Sequence, residues 1–395
     1  MIVFIGESCI ETFEAKTEVF EDTLVIDALL TDEVKQHRVI ITRAFRFEEK
    51  TPVLERNANV EIVDDDNVVY VFQETEPGVY LSQVEFAAAQ GKSYTLKVKT
   101  SDGRSYLSKM VNTPGNVPIT ELRAERFIND NGEEGVSILL DNETNAVDPT
   151  FFRYEYEETY KIIAPNYDPF EFDVIDYIPC DGDFYEVGLK LRTGEQKTCY
   201  GSAKSARLIQ ASTLGLEENK VSNFNIRFIS SSNYILSHRY SILVSQYTQT
   251  QDAHSYYERL GEFASLDNIF SQIQPGFLNG NLLSQTDADE KVLGYFEVAS
   301  VSEKRLFFNY ADLFPNEDLP PYAVSCDVVG NPLLITRGYH CDGNGNCDGS
   351  CESPLIEGIL AGILVFQSVN ENPTAEVPGP YFTLPSPCGD CTKLG

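Results

Sequence analysis

Residues 59–73 read NVEIVDDDNVVYVFQ, two apolar runs on either side of Asp64-Asp65-Asp66-Asn67. Apolar residues alternate with polar ones at the period of a half-buried strand, and Asp and Asn tolerate the positive φ that a tight turn requires. The segment is therefore a hairpin. Outward from it the same pattern recurs in TLVIDALL (23–30), HRVIITRAF (37–45), GVYLS (78–82) and SYTLKVKTSDGRSYLS (93–108), the last broken at Ser101-Asp102-Gly103. Roughly seven strands in about 90 residues, with turns every 8–12, is the pattern of an immunoglobulin-like sandwich.

The run NTPGNVP at 112–118 reads as a linker, because Pro and Gly interrupt pairing. Beyond it, strands are expected at 135–140, 152–157, 225–229, 238–246 and 292–301. Within 250–265, Ala253, Tyr256, Tyr257, Leu260 and Phe263 recur at helical spacing, which predicts one helix. The run LIEGILAGILVF at 355–366 reads as one or two buried strands around Gly358 and Gly362. The expected fold class is all-β, with two sandwich-like domains. Its organisation is a leader or lipid-anchor segment at 1–21, an N-terminal sandwich at 22–112, a second sandwich with a helical insertion at 119–318, and a disulfide-tied tail at 319–395.

Thirty basic residues against 61 acidic ones give a net charge of −31. Such a chain repels phosphate backbones, so nucleic acid is excluded as an expected partner and an anionic membrane surface is disfavoured as a direct ligand. No apolar stretch is long enough to read as a membrane-crossing helix. The start, MIVFIGESC, lacks a basic region and a full hydrophobic region, and reads as a truncated or nearly mature N-terminus.

Nine cysteines divide into Cys9, which stands alone, and eight that can pair: Cys180, Cys199, Cys326, Cys341, Cys347, Cys351, Cys388 and Cys391. Six of them fall from Cys326 onward, in Gly, Asp, Asn and Pro-rich sequence poor in apolar residues, so disulfides and an oxidising compartment are expected. Cys180 and Cys199 are expected to pair with each other, and the last six to form three bridges of open connectivity. Asp342, Asn344, Asn346 and Asp348 alternate like calcium-loop ligands, but Cys347 stands where such a loop needs Gly and Ser353 where it needs Glu. Zinc at His340 and the neighbouring cysteines lacks a recognisable spacing. A disulfide-tied loop without metal is the preferred reading, and no cofactor is expected. Cys388-Gly389-Asp390-Cys391 has redox-motif spacing, yet sits at the chain end without a following helix and reads as structural.

Several strings together resemble the Bacteroidota lipoprotein family known as domain of unknown function DUF4249. They are Cys9-Ile10-Glu11-Thr12-Phe13-Glu14, Leu29-Leu30-Thr31-Asp32-Glu33, Glu74-Thr75-Glu76-Pro77-Gly78-Val79-Tyr80, Ala211-Ser212-Thr213, Tyr240-Ser241-Ile242-Leu243-Val244, Gly280-Asn281, Leu293-Gly294-Tyr295-Phe296, Ser302-Glu303-Lys304-Arg305 and the Cys388 to Cys391 ending. The resemblance implies a surface-exposed or periplasm-facing outer-membrane lipoprotein, encoded near TonB-dependent receptors, without established catalytic residues. With the resemblance and the odd cysteine count, Cys9 after Ser8 is expected to be the lipid anchor.

His37, His238, His254 and His340 lie in no nucleophile context and read as packing or surface residues. Tyr154, Tyr156 and Tyr160 form a ladder expected to pack against a neighbouring sheet; exposed, it would grip a sugar or a protein. The leading expectation is an accessory or ligand-binding partner of an outer-membrane receptor barrel, not an enzyme. An adhesive or structural surface module is the alternative. A carboxylate- or calcium-dependent hydrolase is the third, to be revived by a pocket of converging acids.

Overall fold

The computed structural model describes residues 23–44, 53–178, 185–265, 278–327, 329–334 and 353–394. Strands Asn59–Asp64 and Val69–Glu76 pair antiparallel, with Val60 opposite Phe72 and Ile62 opposite Tyr70. At their turn Asp64 Oδ1 accepts from the amides of Asp66 (3.0 Å) and Val68 (2.8 Å), while Asn67 takes φ 64°. The chain is all-β and sandwich-like, as its periodicity required.

Of the nine described strands from Leu24–Thr31 to Val111–Asn112, all but the exposed pair Val53–Leu54 face one apolar cluster that includes Ile26, Leu30, Ile41, Ile62, Tyr80, Tyr94 and Leu96. That cluster also takes in Leu282, Val292, Phe296 and Val298, which lie far beyond residue 112 in the sequence. Leu24–Thr31 pairs in parallel with the first half of the strand Val292–Asn309, from Leu24 opposite Val292 to Thr31 opposite Ala299. Parallel pairing requires a long crossover, and here the whole second half of the molecule supplies it. Gly294 makes the approach possible: its φ is +100°, and a Cβ would stand 1.8 Å from the Ile26 carbonyl oxygen. Leu282–Ser284 pairs with Ser105–Ser108, and Asn281 beside it bonds both backbone groups of Phe296, at 2.8 and 2.9 Å. This seam joins the last strand of the wrap back to its first neighbour.

The second half of Val292–Asn309 pairs with Arg239–Gln249, which pairs in turn with Phe151–Ile163. One strand thus serves both cores. The linker is pinned along its middle: Ser300 Oγ donates to the Pro114 carbonyl (2.6 Å), Asn116 Nδ2 to the Val301 carbonyl (2.8 Å), and the Val301 amide to Asp32 Oδ1 (2.8 Å). The second core lies between these strands and the three-stranded sheet of Ile119–Ile128, Glu134–Glu143 and Lys220–Ser230, around Val136, Ile138, Leu140, Phe152, Tyr154, Tyr240 and Ile242. The helix is Gln251–Ser265, its first turn met by the Thr250 hydroxyl, which accepts from the Ala253 amide at 3.3 Å.

The tail corrects four expectations. Residues 354–360 form the helix Pro354–Leu360, not a strand; Ser353 caps it by accepting from the Ile356 amide (3.1 Å), and Pro354 occupies the first turn. Only the end of that run is extended, where it enters the strand Leu364–Val369. Cys199 bonds Cys391 across 192 residues instead of Cys180, because the last turn of the chain docks on the edge strand Thr198–Lys204, with the Cys391 amide donating to the Gln196 carbonyl at 3.0 Å. Cys391 therefore leaves the expected closed set of six, and three bridges among those six cannot form. Cys326 bonds Cys388, so the two cysteines of the C-terminal C-x-x-C go to different partners and do not form a redox pair. Two short helical turns, Ser386–Gly389 and Cys391–Lys393, stand where no helix was expected.

Candidate functional site

Phe296 and Val298 point into the first core, so alternation turns Tyr295 and Glu297 to the opposite face of the shared sheet. Phe152 and Tyr154 face the second core, which turns Arg153 and Glu155 out beside them. Tyr247 stands opposite Arg153 in the register. The helix Gln251–Ser265 covers this outer face, anchored by Ala253 and by Tyr256 stacked on Tyr295 with ring centroids 4.8 Å apart.

Under the helix lies a polar cluster. Glu297 is completely buried, and its carboxylate accepts from Arg153 Nη2 (3.1 Å), Gln249 Nε2 (2.7 Å) and the Tyr257 hydroxyl. Arg153 also donates to Glu155, and its guanidinium lies over the rings of Tyr247 (4.3 Å) and Tyr257 (5.2 Å). Burial works against the Arg153 charge, but Glu297 together with Tyr257, Glu155 and Tyr247 outweighs it and holds the guanidinium protonated. Burial, reinforced by Glu297, pushes the Tyr257 hydroxyl well above its ordinary range. Two buried polar atoms in the cluster, Arg153 Nε and Gln249 Oε1, have no partner among the described residues.

Arg153, Glu155 and Tyr257 form a wall common to two cavities. The larger, about 670 Å³, extends to Lys204, Arg207 and Glu303. The smaller, about 450 Å³, extends over Asp27, Lys35 and Arg38 and is floored by Glu297. Both volumes fall in the usual range of small-molecule sites, about 300–1,000 Å³. In each, three bases face three acids: Arg153, Lys204 and Arg207 against Glu155, Glu157 and Glu303, and Lys35, Arg38 and Arg153 against Asp27, Glu155 and Glu297. These are electrically balanced places in a strongly acidic molecule. Asp27 is open to the second cavity, yet enclosure by the surrounding protein raises its carboxyl pKa, against the pull of Arg38.

None of these residues stood out in the sequence. Glu297 offered the one signal, a lone charge in the apolar run 292–301. Of the residues that did stand out, Tyr154 is buried and Tyr156 and Tyr160 pack against the second core, so the ladder packs inward. His37 is buried, edge-on to Phe86 at 4.8 Å, with Nε2 2.8 Å from the Phe86 carbonyl oxygen. His254 lies on the helix beside Phe151 and Gln210. Cys9, Cys180, Cys341, Cys347, Cys351, His340 and the calcium candidates Asp342, Asn344, Asn346 and Asp348 lie outside the described residues. Among the described residues the acidic group with ligand-like spacing is Asp64, Asp65 and Asp66, where Lys92 already binds Asp64 (2.6 Å) and Asp66 (2.9 Å).

The family model described as domain of unknown function DUF4249 matches residues 10–305, a span that contains every residue of the Arg153 cluster, all of the first core and most of the second, whose Phe308, Tyr310 and Phe314 lie beyond it. No curated protein matches the chain. Among solved structures, a DUF4785 family protein from Legionella pneumophila aligns over 56% of this chain at 8% identity with a TM-score of 0.18. This chain covers 51% of the length of that protein.

Proposed function

We propose, from the premise that this chain belongs to the DUF4249 family, that it is a non-catalytic binding protein of the cell envelope. On this reading the Arg153 groove holds a small polar ligand, and the protein works beside an outer-membrane barrel of the TonB-dependent receptor type while lipid on Cys9 holds it to the membrane. The observation that carries the binding reading is the cluster itself. Its charges are paired with one another and locked by Tyr247, Gln249 and Tyr257, so it presents fixed donors and acceptors rather than a free nucleophile. Two formed disulfides suit an oxidising compartment. No helix among the described residues is long and apolar enough to cross a membrane, which is compatible with an external anchor.

One observation favours a hydrolytic alternative, the raised carboxyl of Asp27 over a floor that also holds Glu297. Glu297 already accepts three hydrogen bonds and is poorly placed to act as its partner. The test is recovery of the native protein from solubilised membranes, with Cys9→Ser alongside. A barrel protein in stoichiometric amount, and release of the variant to the soluble fraction, are expected. An unaccompanied native monomer, or a variant still in the membrane, overturns the reading.

A further inference from the structure

At the far end of the strand Phe151–Ile163 lies a separate cavity of about 380 Å³ that shares no residue with the Arg153 groove. Ile162, Ile163, Pro165, Tyr234, Leu319 and Tyr322 make its walls. They are held in place from both sides. Tyr234 meets Tyr160 edge-on at 5.9 Å, and the Tyr322 hydroxyl donates to the Pro387 carbonyl at 2.9 Å, next to the Cys326–Cys388 bridge.

Besides the hydroxyls of Tyr234 and Tyr322, the side-chain polar atoms of the lining belong to Lys161, Ser237 and His238. Lys161 makes no ion pair among the described residues. Burial and the Lys161 charge both lower the His238 pKa, so the imidazole is neutral near pH 7 and Lys161 supplies the charge of the site. Among the described residues no acid lines the cavity, although the chain carries 61 Asp and Glu residues. An apolar body of this size, with one unopposed ammonium and neutral hydrogen-bonding groups beside it, is complementary to one kind of molecule.

We infer that this cavity binds an amphipathic carboxylate, an apolar tail or ring carrying a single anionic head that is received by Lys161 with Ser237 and His238. The Ile162, Pro165 and Leu319 walls take the apolar part, and the ammonium makes a charge-assisted hydrogen bond that a neutral ligand cannot. The inference is independent of the Arg153 groove and stands or falls without it.

The test is calorimetric titration of the full oxidised chain with decanoate, decan-1-ol and decylamine, each below its aggregation threshold. Saturable decanoate binding, about tenfold or more tighter than the alcohol, is expected from the strength of charge-assisted bonds. Lys161→Met should bring decanoate down to the level of the alcohol, and Lys161→Glu should reverse the preference in favour of decylamine. The native acid-to-alcohol comparison needs no variant, so a poorly folded substitution does not decide the matter. Equal affinities of the native chain for acid and alcohol, no saturable binding by either, or undiminished decanoate binding in both folded variants would overturn it.

Discussion

Residues 24–111, closed by Leu282, Val292, Phe296 and Val298, bury one continuous apolar cluster on strands that wrap back on themselves. The described residues of the tail from 319 form no such cluster. Its side chains divide among small groups, Leu355 and Phe366 with Phe172 in one, and Val365, Leu384 and Cys388 in another, and it is tied down by Cys326–Cys388 and Cys199–Cys391. A large core stabilises its strands by removing apolar area from water. A short, Gly- and Pro-rich segment has too little such area, so covalent links that shrink its unfolded ensemble take over. The comparison teaches that stability is cooperative in the body of the molecule and locally tethered in the tail.

The sharpest way to break this contrast is Glu297→Ala in the shared sheet. It leaves Arg153 buried and half-paired, and a loss of about 3–5 kcal/mol in one global transition is expected from denaturant unfolding. The double variant Glu297→Leu, Arg153→Met, which removes both charges, should recover most of that loss. A smaller effect is expected from Cys199→Ser. Releasing a 192-residue closure should cost about 2–4 kcal/mol, but as an early separate transition in which the tail exchanges amide hydrogens and is cut by protease while the 24–111 core stays protected. A single transition in that variant would show that tail and body are one cooperative unit.

The smallest effect is one of pH. Folding raises the Asp27 pKa, so between its unfolded value near 3.8 and its higher folded value the native state binds more protons than the unfolded one. The contribution of Asp27 is therefore complete below the unfolded value and is lost as pH rises through the folded value. Asp27→Asn should remove this component, so that the variant gains on the native protein in melting temperature between pH 4 and pH 7. A difference that stays flat with pH would deny the enclosure of that carboxyl.

Much of the fold was legible because its signals are local. Alternation placed the strands, Asp64 to Asn67 and Ser101 to Gly103 placed turns, and the spacing of Ala253, Tyr256 and Tyr257 placed the helix. The helix Pro354–Leu360 was misread although Ser353-Pro354 is a start signal, since an apolar run of that length fits a buried strand equally well. The Arg153 groove was not legible. Alternation says that Arg153 and Glu297 leave their cores, but 144 residues separate them and only the register across three strands brings them together.

By itself, then, the sequence determined the all-β class, the hairpins of the first unit, the helix Gln251–Ser265 and the excess of negative charge. Tertiary structure alone decided that Leu24–Thr31 lies in parallel beside Val292–Asn309, that Cys199 finds Cys391, and that Glu297 accepts from Arg153. The reason is physical. Periodicity and turn chemistry are properties of a few consecutive residues, whereas the choice of a distant partner depends on which surfaces can be buried together, and that is fixed only when the whole chain has packed.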